Sequence, residues 1–141
     1  MSLKIVFHPE DKQAVADKHS QTVADRLEKV IKNKNETLQW KDSITECRRR
    51  FYNIVHKGGE YFPEIAFSPK QTNYRAILAW LPNAECLVVY AVVEKTDHYQ
   101  SSKQHALLDQ IYKHPKEVVE SVEAQFTAQQ STVASHSPVT A

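Results

Sequence analysis

Glycine is nearly absent: the 141 residues contain two, and these are adjacent, Gly58-Gly59. The chain therefore has no glycine-rich loop of the kind that cradles phosphates. Cysteine is equally scarce, with Cys47 and Cys86 alone and no Cys or His at metal-ligand spacing beside either. They read as reduced packing residues of a cytosolic protein rather than as a disulfide or zinc framework. No window approaches ~18 consecutive apolar residues, and the apolar run near the N-terminus is too short for a signal sequence, so neither a membrane span nor secretion is expected. A net charge of +1 supplies no overall field toward nucleic acid or a membrane surface, which makes any basic site a local one. A Ser-His-Asp signature and internal repeats are also missing. What remains, 41% hydrophobic and 25% charged residues, predicts one domain with enough chain to bury a core over residues 1–126, followed by a tail.

The β-forming residues are concentrated between Gly58 and Tyr99. Three strands are expected there, Tyr61–Phe67, Tyr74–Trp80 and Cys86–Val93. Pro82 and Asn83 supply the turn between the second and third. Cys86–Val93 reads CLVVYAVV and has one polar side-chain group, the Tyr90 hydroxyl, so the pattern predicts an interior strand covered on both faces. Its neighbour NYRAILAW carries a single charge, Arg75, among apolar residues.

On the N-terminal side, Leu3–Phe7 is a short β-prone run ending at His8-Pro9. Val15, Val23, Leu27, Val30 and Ile31 then recur at helical spacing, which predicts one amphipathic helix from about Pro9 to Lys34 with His19 on its stripe as a boundary residue. Ser43 and Glu46 fit a capping box, and Ile44, Cys47, Phe51 and Val55 predict a second helix running to about Lys57 and stopped by Gly58-Gly59. Arg48, Arg49 and Arg50 on that helix are 100° apart in succession and cannot share one face. They read either as a solvated flank or as a phosphate-binding patch. On the C-terminal side, Leu107, Leu108 and Ile111 and then Val118, Val119, Val122 and Phe126 predict helix on both sides of Pro115. Thr127–Ala141 lacks charge and bulk and is expected to be a disordered tail.

The order β-α-α-β-β-β-α predicts an α+β domain, a small antiparallel or mixed sheet of about four strands covered by N-terminal and C-terminal helices. In that order the residues resemble the RelE/ParE-type toxins of toxin–antitoxin systems, and the HigB-like branch in particular. LKIVFHPEDKQAV is similar to the family's opening strand and strand-to-helix proline. GGEYFPEIAF, NYRAILAW and CLVVYAVVEKT resemble its three-strand core, in which a Glu-apolar-Arg triplet, a Tyr-Arg pair and a Lys-Lys-Thr ending recur. The likeness covers residues 3–112. It departs from the pattern at Ala66 and Glu94, which stand where the family has basic residues.

The resemblance implies a cytoplasmic toxin that cleaves mRNA at the ribosome and is held by a cognate antitoxin, with no metal and no cofactor. In that reaction a 2′-hydroxyl attacks the adjoining phosphate. Fixed cations stabilise the growing charge while one group takes a proton and another gives one. The implied catalytic set is Arg75, Lys95, His98 and Tyr99, with Arg48, Arg49, Arg50, Lys57 and Lys70 as RNA contacts. Each has a plainer reading beside it: Arg75 as a cross-strand partner of Glu64, Lys95 and Glu94 as solubilising strand-end charges, and Tyr99 as packing under the last helix. A non-catalytic binding module on the same fold is the competing class, either a DNA gyrase inhibitor or an inactive relative.

Overall fold

A computed structural model describes residues 4–37, 53–57, 60–94 and 109–136, with backbone alone at 37, 53–57 and 130–136. The described elements run β1 (Ile5–Phe7), α1 (Lys12–Lys18), α2 (Gln21–Thr37), β2 (Asn53–Lys57), β3 (Glu60–Phe67), a 3-10 turn (Pro69–Gln71), β4 (Tyr74–Leu81), β5 (Cys86–Glu94) and α3 (Pro115–His136). Residues 109–113 are also helical. The class is α+β, and the sheet is mixed. Its strands lie in the order β1-β5-β4-β3-β2, with β1 parallel to β5 and every other pair antiparallel. The apolar strand β5 sits inside the sheet, as its unbroken hydrophobic run requires.

The four expected strands are joined by a fifth. Residues 53–57, expected as the end of a helix, form β2 instead, antiparallel to β3 with Lys57 opposite Glu60. Ile54-Val55 is β-branched, and the pair Gly58-Gly59, taken as a helix stop, equally suits a two-residue hairpin connection. The rest of that expected helix, 43–52, lies outside the described residues.

The expected single helix over Pro9–Lys34 is two. Asp11 caps α1, its carboxylate accepting from Ala14 N–H at 2.7 Å, so Pro9 stays outside the helix. His19 closes α1, and the Ser20 hydroxyl accepts from Val23 N–H at 3.2 Å to start α2. Both helices press onto one face of the sheet. Val15, Val23, Ala24, Leu27 and Ile31 meet Ile5, Ile65, Phe67, Ala76, Leu78, Leu87, Val89 and Val92 there. The C-terminal segment covers the other face, where Ile111, Val118, Val119 and Val122 meet Phe62, Ile77, Ala79, Leu81, Cys86 and Val88. Glu123 ties α3 to the β4–β5 turn, its carboxylate accepting from Asn83 N at 3.0 Å and Nδ2 at 2.8 Å. α3 continues to His136, so 127–136 is helix rather than the expected disordered tail. Ala and Gln, frequent in that stretch, are good helix formers.

Candidate functional site

The three motif-bearing strands meet in one rank. Ala66 of β3 pairs with Arg75 of β4, and Arg75 pairs with Val93 of β5. Strand alternation fixes which side of the sheet each residue serves. Tyr74 and Ala76 belong to the core under α1 and α2, whereas Ile77 belongs to the core under α3, so Arg75 lies on the α3 face. On β5 the alternation is reset by an irregularity. Ile77 pairs with Ala91 while Leu78 pairs with Val89, leaving Tyr90 as an extra residue. A one-residue bulge moves the rest of the strand to the opposite parity. As a result Val92 joins the α1–α2 core and Val93 the α3 face beside Arg75.

Arg75 is buried, with 8% of its surface exposed, and its Nη1 donates to the Tyr74 carbonyl at 2.9 Å. Glu64 is buried too, 6% exposed. It sits two residues before Ala66 on β3, diagonal to Arg75 on the same face, a spacing that long side chains bridge. Ala66 itself is exposed. The position that is basic in the resembling family is thus open to solvent here and carries no charge.

Glu94, the second departure, lies opposite Tyr74 on β5 and is exposed on the other side of the sheet from Arg75. Burial, and secondarily the negative charge of Glu94, push the Tyr74 phenol above its ordinary pKa. The Tyr74 ring stacks near Phe67, with centroids 5.7 Å apart, and meets His19 edge to face at 5.4 Å. His19 Nε2 lies 3.0 Å from the Val92 carbonyl, and since a carbonyl only accepts, that nitrogen carries the proton. His19 is therefore a packed boundary residue pinned to β5.

Among the other expected site residues, Lys70 is exposed in the turn between β3 and β4, beyond the end of the sheet where Ala66 and Arg75 pair. It takes a left-handed backbone conformation, φ 46°, as does Gln71 at φ 68°, which is uncommon for residues with a side chain. Lys57 ends β2, two strands away from β4. Lys95, His98, Tyr99, Arg48, Arg49 and Arg50 lie outside the described residues. Among the described residues there is no group of three His, Cys, Asp or Glu placed to hold a metal ion, and no helix long and apolar enough to cross a membrane.

The rank brings together one guanidinium, one carboxylate and an uncharged exposed position. Chemically, Arg75 can offer a planar donor fork to an anion reaching it from the Ala66 side, with Glu64 as an opposing charge diagonal to it on that face. Comparison with family models, with curated proteins and with solved structures gives no significant match to this chain. A cleft beside Tyr90 on the same face of the sheet is a feature that the motif reading misses. The Tyr90 hydroxyl, alone in an otherwise apolar run, was its one signal.

Proposed function

We propose that this protein is the toxin of a type II toxin–antitoxin system of RelE/ParE type, a ribosome-dependent mRNA endonuclease that inhibits translation in the cytoplasm and is neutralised by a cognate antitoxin. One observation carries the reading. The three separate pieces of motif, Glu64-Ile65-Ala66, Tyr74-Arg75 and Val93-Glu94, fall side by side in a single rank of β3, β4 and β5. The interior position of β5 supports it. In this reading Arg75 holds the phosphate that gains charge as the 2′-oxygen attacks, and Lys95, which follows β5 directly, shares that charge. His98 or Tyr99 exchanges the protons, His98 having the ordinary pKa better suited to the task.

A second reading is favoured by a specific observation: Arg75 is buried and donates to the adjoining Tyr74 carbonyl, while the exposed Ala66 adds no cation. Such a site suits a binding module with the toxin fold and no catalysis.

Induction of the protein without its partner separates the two. The nuclease arrests growth and leaves cut messages, a gyrase inhibitor leaves messages whole and damages DNA, and an inactive relative does neither. Arg75→Lys is the informative variant, because it keeps a cation beside Glu64 but loses the two-pronged fork. It should lower cleavage on the order of 10² to 10³, as removal of a fixed donor to developing charge does. Cut messages at the wild-type rate from this variant would refute the role of Arg75.

A further inference from the structure

Between β5 and the start of α3 the surface opens into a cleft of ≈ 420 Å³. Its floor is apolar and partly aromatic, formed by Pro9, Tyr90 and Val122. Tyr90 is the bulge residue, the one position of β5 between Cys86 and Glu94 without a paired residue on β4, and bulges re-aim side chains beside sites. The rim is polar: the amides of Gln110 and Gln125, the His114 imidazole and one carboxylate, Glu117. No lysine or arginine lines it among the described residues. An apolar floor that includes one aromatic ring, with donors and acceptors at its edge, suits a heteroaromatic ring. The volume falls in the range of small-molecule sites, about 300–1,000 Å³.

Position adds a second argument. Tyr90 packs against the α3-side core, on the face that Arg75 serves. It precedes Val93, the partner of Arg75, by three residues of β5, about 10 Å at strand spacing. The cleft and Arg75 thus lie on one face of the sheet, a short span apart.

The geometry points to a nucleobase subsite: the Tyr90 cleft takes one unstacked base of a single-stranded RNA, with the ring against Tyr90 and the exocyclic amino group donating to Glu117. A carboxylate accepts from the amino group of cytosine and finds no such group on uracil, so cytosine is held better than uracil. The identity of the ligand as RNA rests on the toxin reading above, whereas base binding itself is measured without it.

The test uses the isolated full-length protein, titrated with CMP, with UMP and with a single-stranded RNA hexamer and followed by chemical-shift changes. CMP and the cytosine-containing hexamer should bind, and CMP more tightly than UMP. Ser121→Trp, at an exposed helix position lining the cleft, should abolish binding with the thermal unfolding curve unchanged. Tyr90→Ala should weaken it about 10- to 100-fold and Tyr90→Phe should retain it, as expected for base stacking. Glu117→Gln should narrow the gap between CMP and UMP. Binding of CMP without the hexamer would assign the cleft to a free nucleotide and overturn the RNA subsite. Absence of binding to the wild type, or binding indifferent to Ser121→Trp, would overturn the proposal. The two readings fail separately: base binding by a protein that leaves messages whole removes the nuclease and keeps the cleft, while message cleavage without base binding does the reverse.

Discussion

The outer edge of β1 offers a sharp test of how the sheet is sealed. β1 is three residues long and, among the described residues, has a strand partner on one side only. On its free side the Asn35 side chain of α2 takes the place of a strand. Ile5 N–H donates to Asn35 Oδ1 at 3.0 Å, and Asn35 Nδ2 donates to the Ile5 carbonyl at 3.0 Å. One amide thus satisfies both outward backbone groups of Ile5, which would otherwise present a template for another chain. Asn35→Ala removes two hydrogen bonds, each contributing about 0.5–1.5 kcal/mol net, so the expected cost is about 1–3 kcal/mol. For a chain of this size that corresponds to a fall in Tm of roughly 3–10 °C. Asn35→Asp should fail to rescue it at neutral pH, because a carboxylate accepts from Ile5 N–H but has nothing to donate to the Ile5 carbonyl. Thermal unfolding by circular dichroism gives the stability, and hydrogen exchange at the Ile5 amide reports the edge directly. Unchanged Tm together with unchanged exchange in Asn35→Ala would refute the argument.

Three further outcomes are expected. Leu27, fully buried between α2 and the sheet, should cost about 2–5 kcal/mol as Leu27→Ala in urea unfolding, with an undiminished midpoint counting against the packing described. Glu64→Leu and Arg75→Met should each destabilise by about 3–5 kcal/mol by stranding an opposite buried charge, and the double variant Glu64→Leu/Arg75→Met should recover much of the loss. Simple additivity in that cycle would show that the two charges do not interact. Burial, with a smaller contribution from Glu123, pushes the Cys86 thiol up to about 11, so in a Cys47→Ser background it should resist alkylation at pH 8 until the protein unfolds. Because the folded state holds this proton more tightly, its share of stability is present below about pH 9 and is lost as pH rises toward 11. Rapid alkylation of the native protein would contradict the burial of Cys86.

β3, β4 and β5 were legible because each is an apolar run bounded by turn residues, and the interior place of β5 followed from its lack of a polar face. β2 was not, because Ile54 and Val55 sit at positions that also continue the helical series of Ile44, Cys47 and Phe51, and a short apolar run fits either period. The break between α1 and α2 is a matter of one cap: Ser20 carries the signal, but the hydrophobic stripe runs through it without interruption. The helix at 127–136 was hidden by reading an uncharged stretch as disordered when its Ala and Gln residues favour helix. At the site, the sequence supplied Arg75 and its neighbours on β4 and β5 but not their depth. Which face Val93 and Glu94 take depends on the bulge at Tyr90, and no residue in CLVVYAVV announces a bulge.

The parallel pairing of β1 with β5 also sets a timetable. Ile5 is among the first residues made, and its partner Leu87 is made only after both N-terminal helices and three strands have been made. Until then β1 has no strand to join, and the Lys4 carbonyl that accepts from Leu87 N–H stays in water. Closing a loop of that length is slow compared with forming the β3–β4 or β4–β5 hairpins. The antiparallel part of the sheet, which contains the rank of Ala66, Arg75 and Val93, can therefore assemble first, with the N-terminal strand arriving as the last piece to lock it. A chain released early, before Cys86–Glu94, has neither β5 nor a place for β1. Any activity that depends on the completed sheet is withheld from unfinished copies by the topology alone.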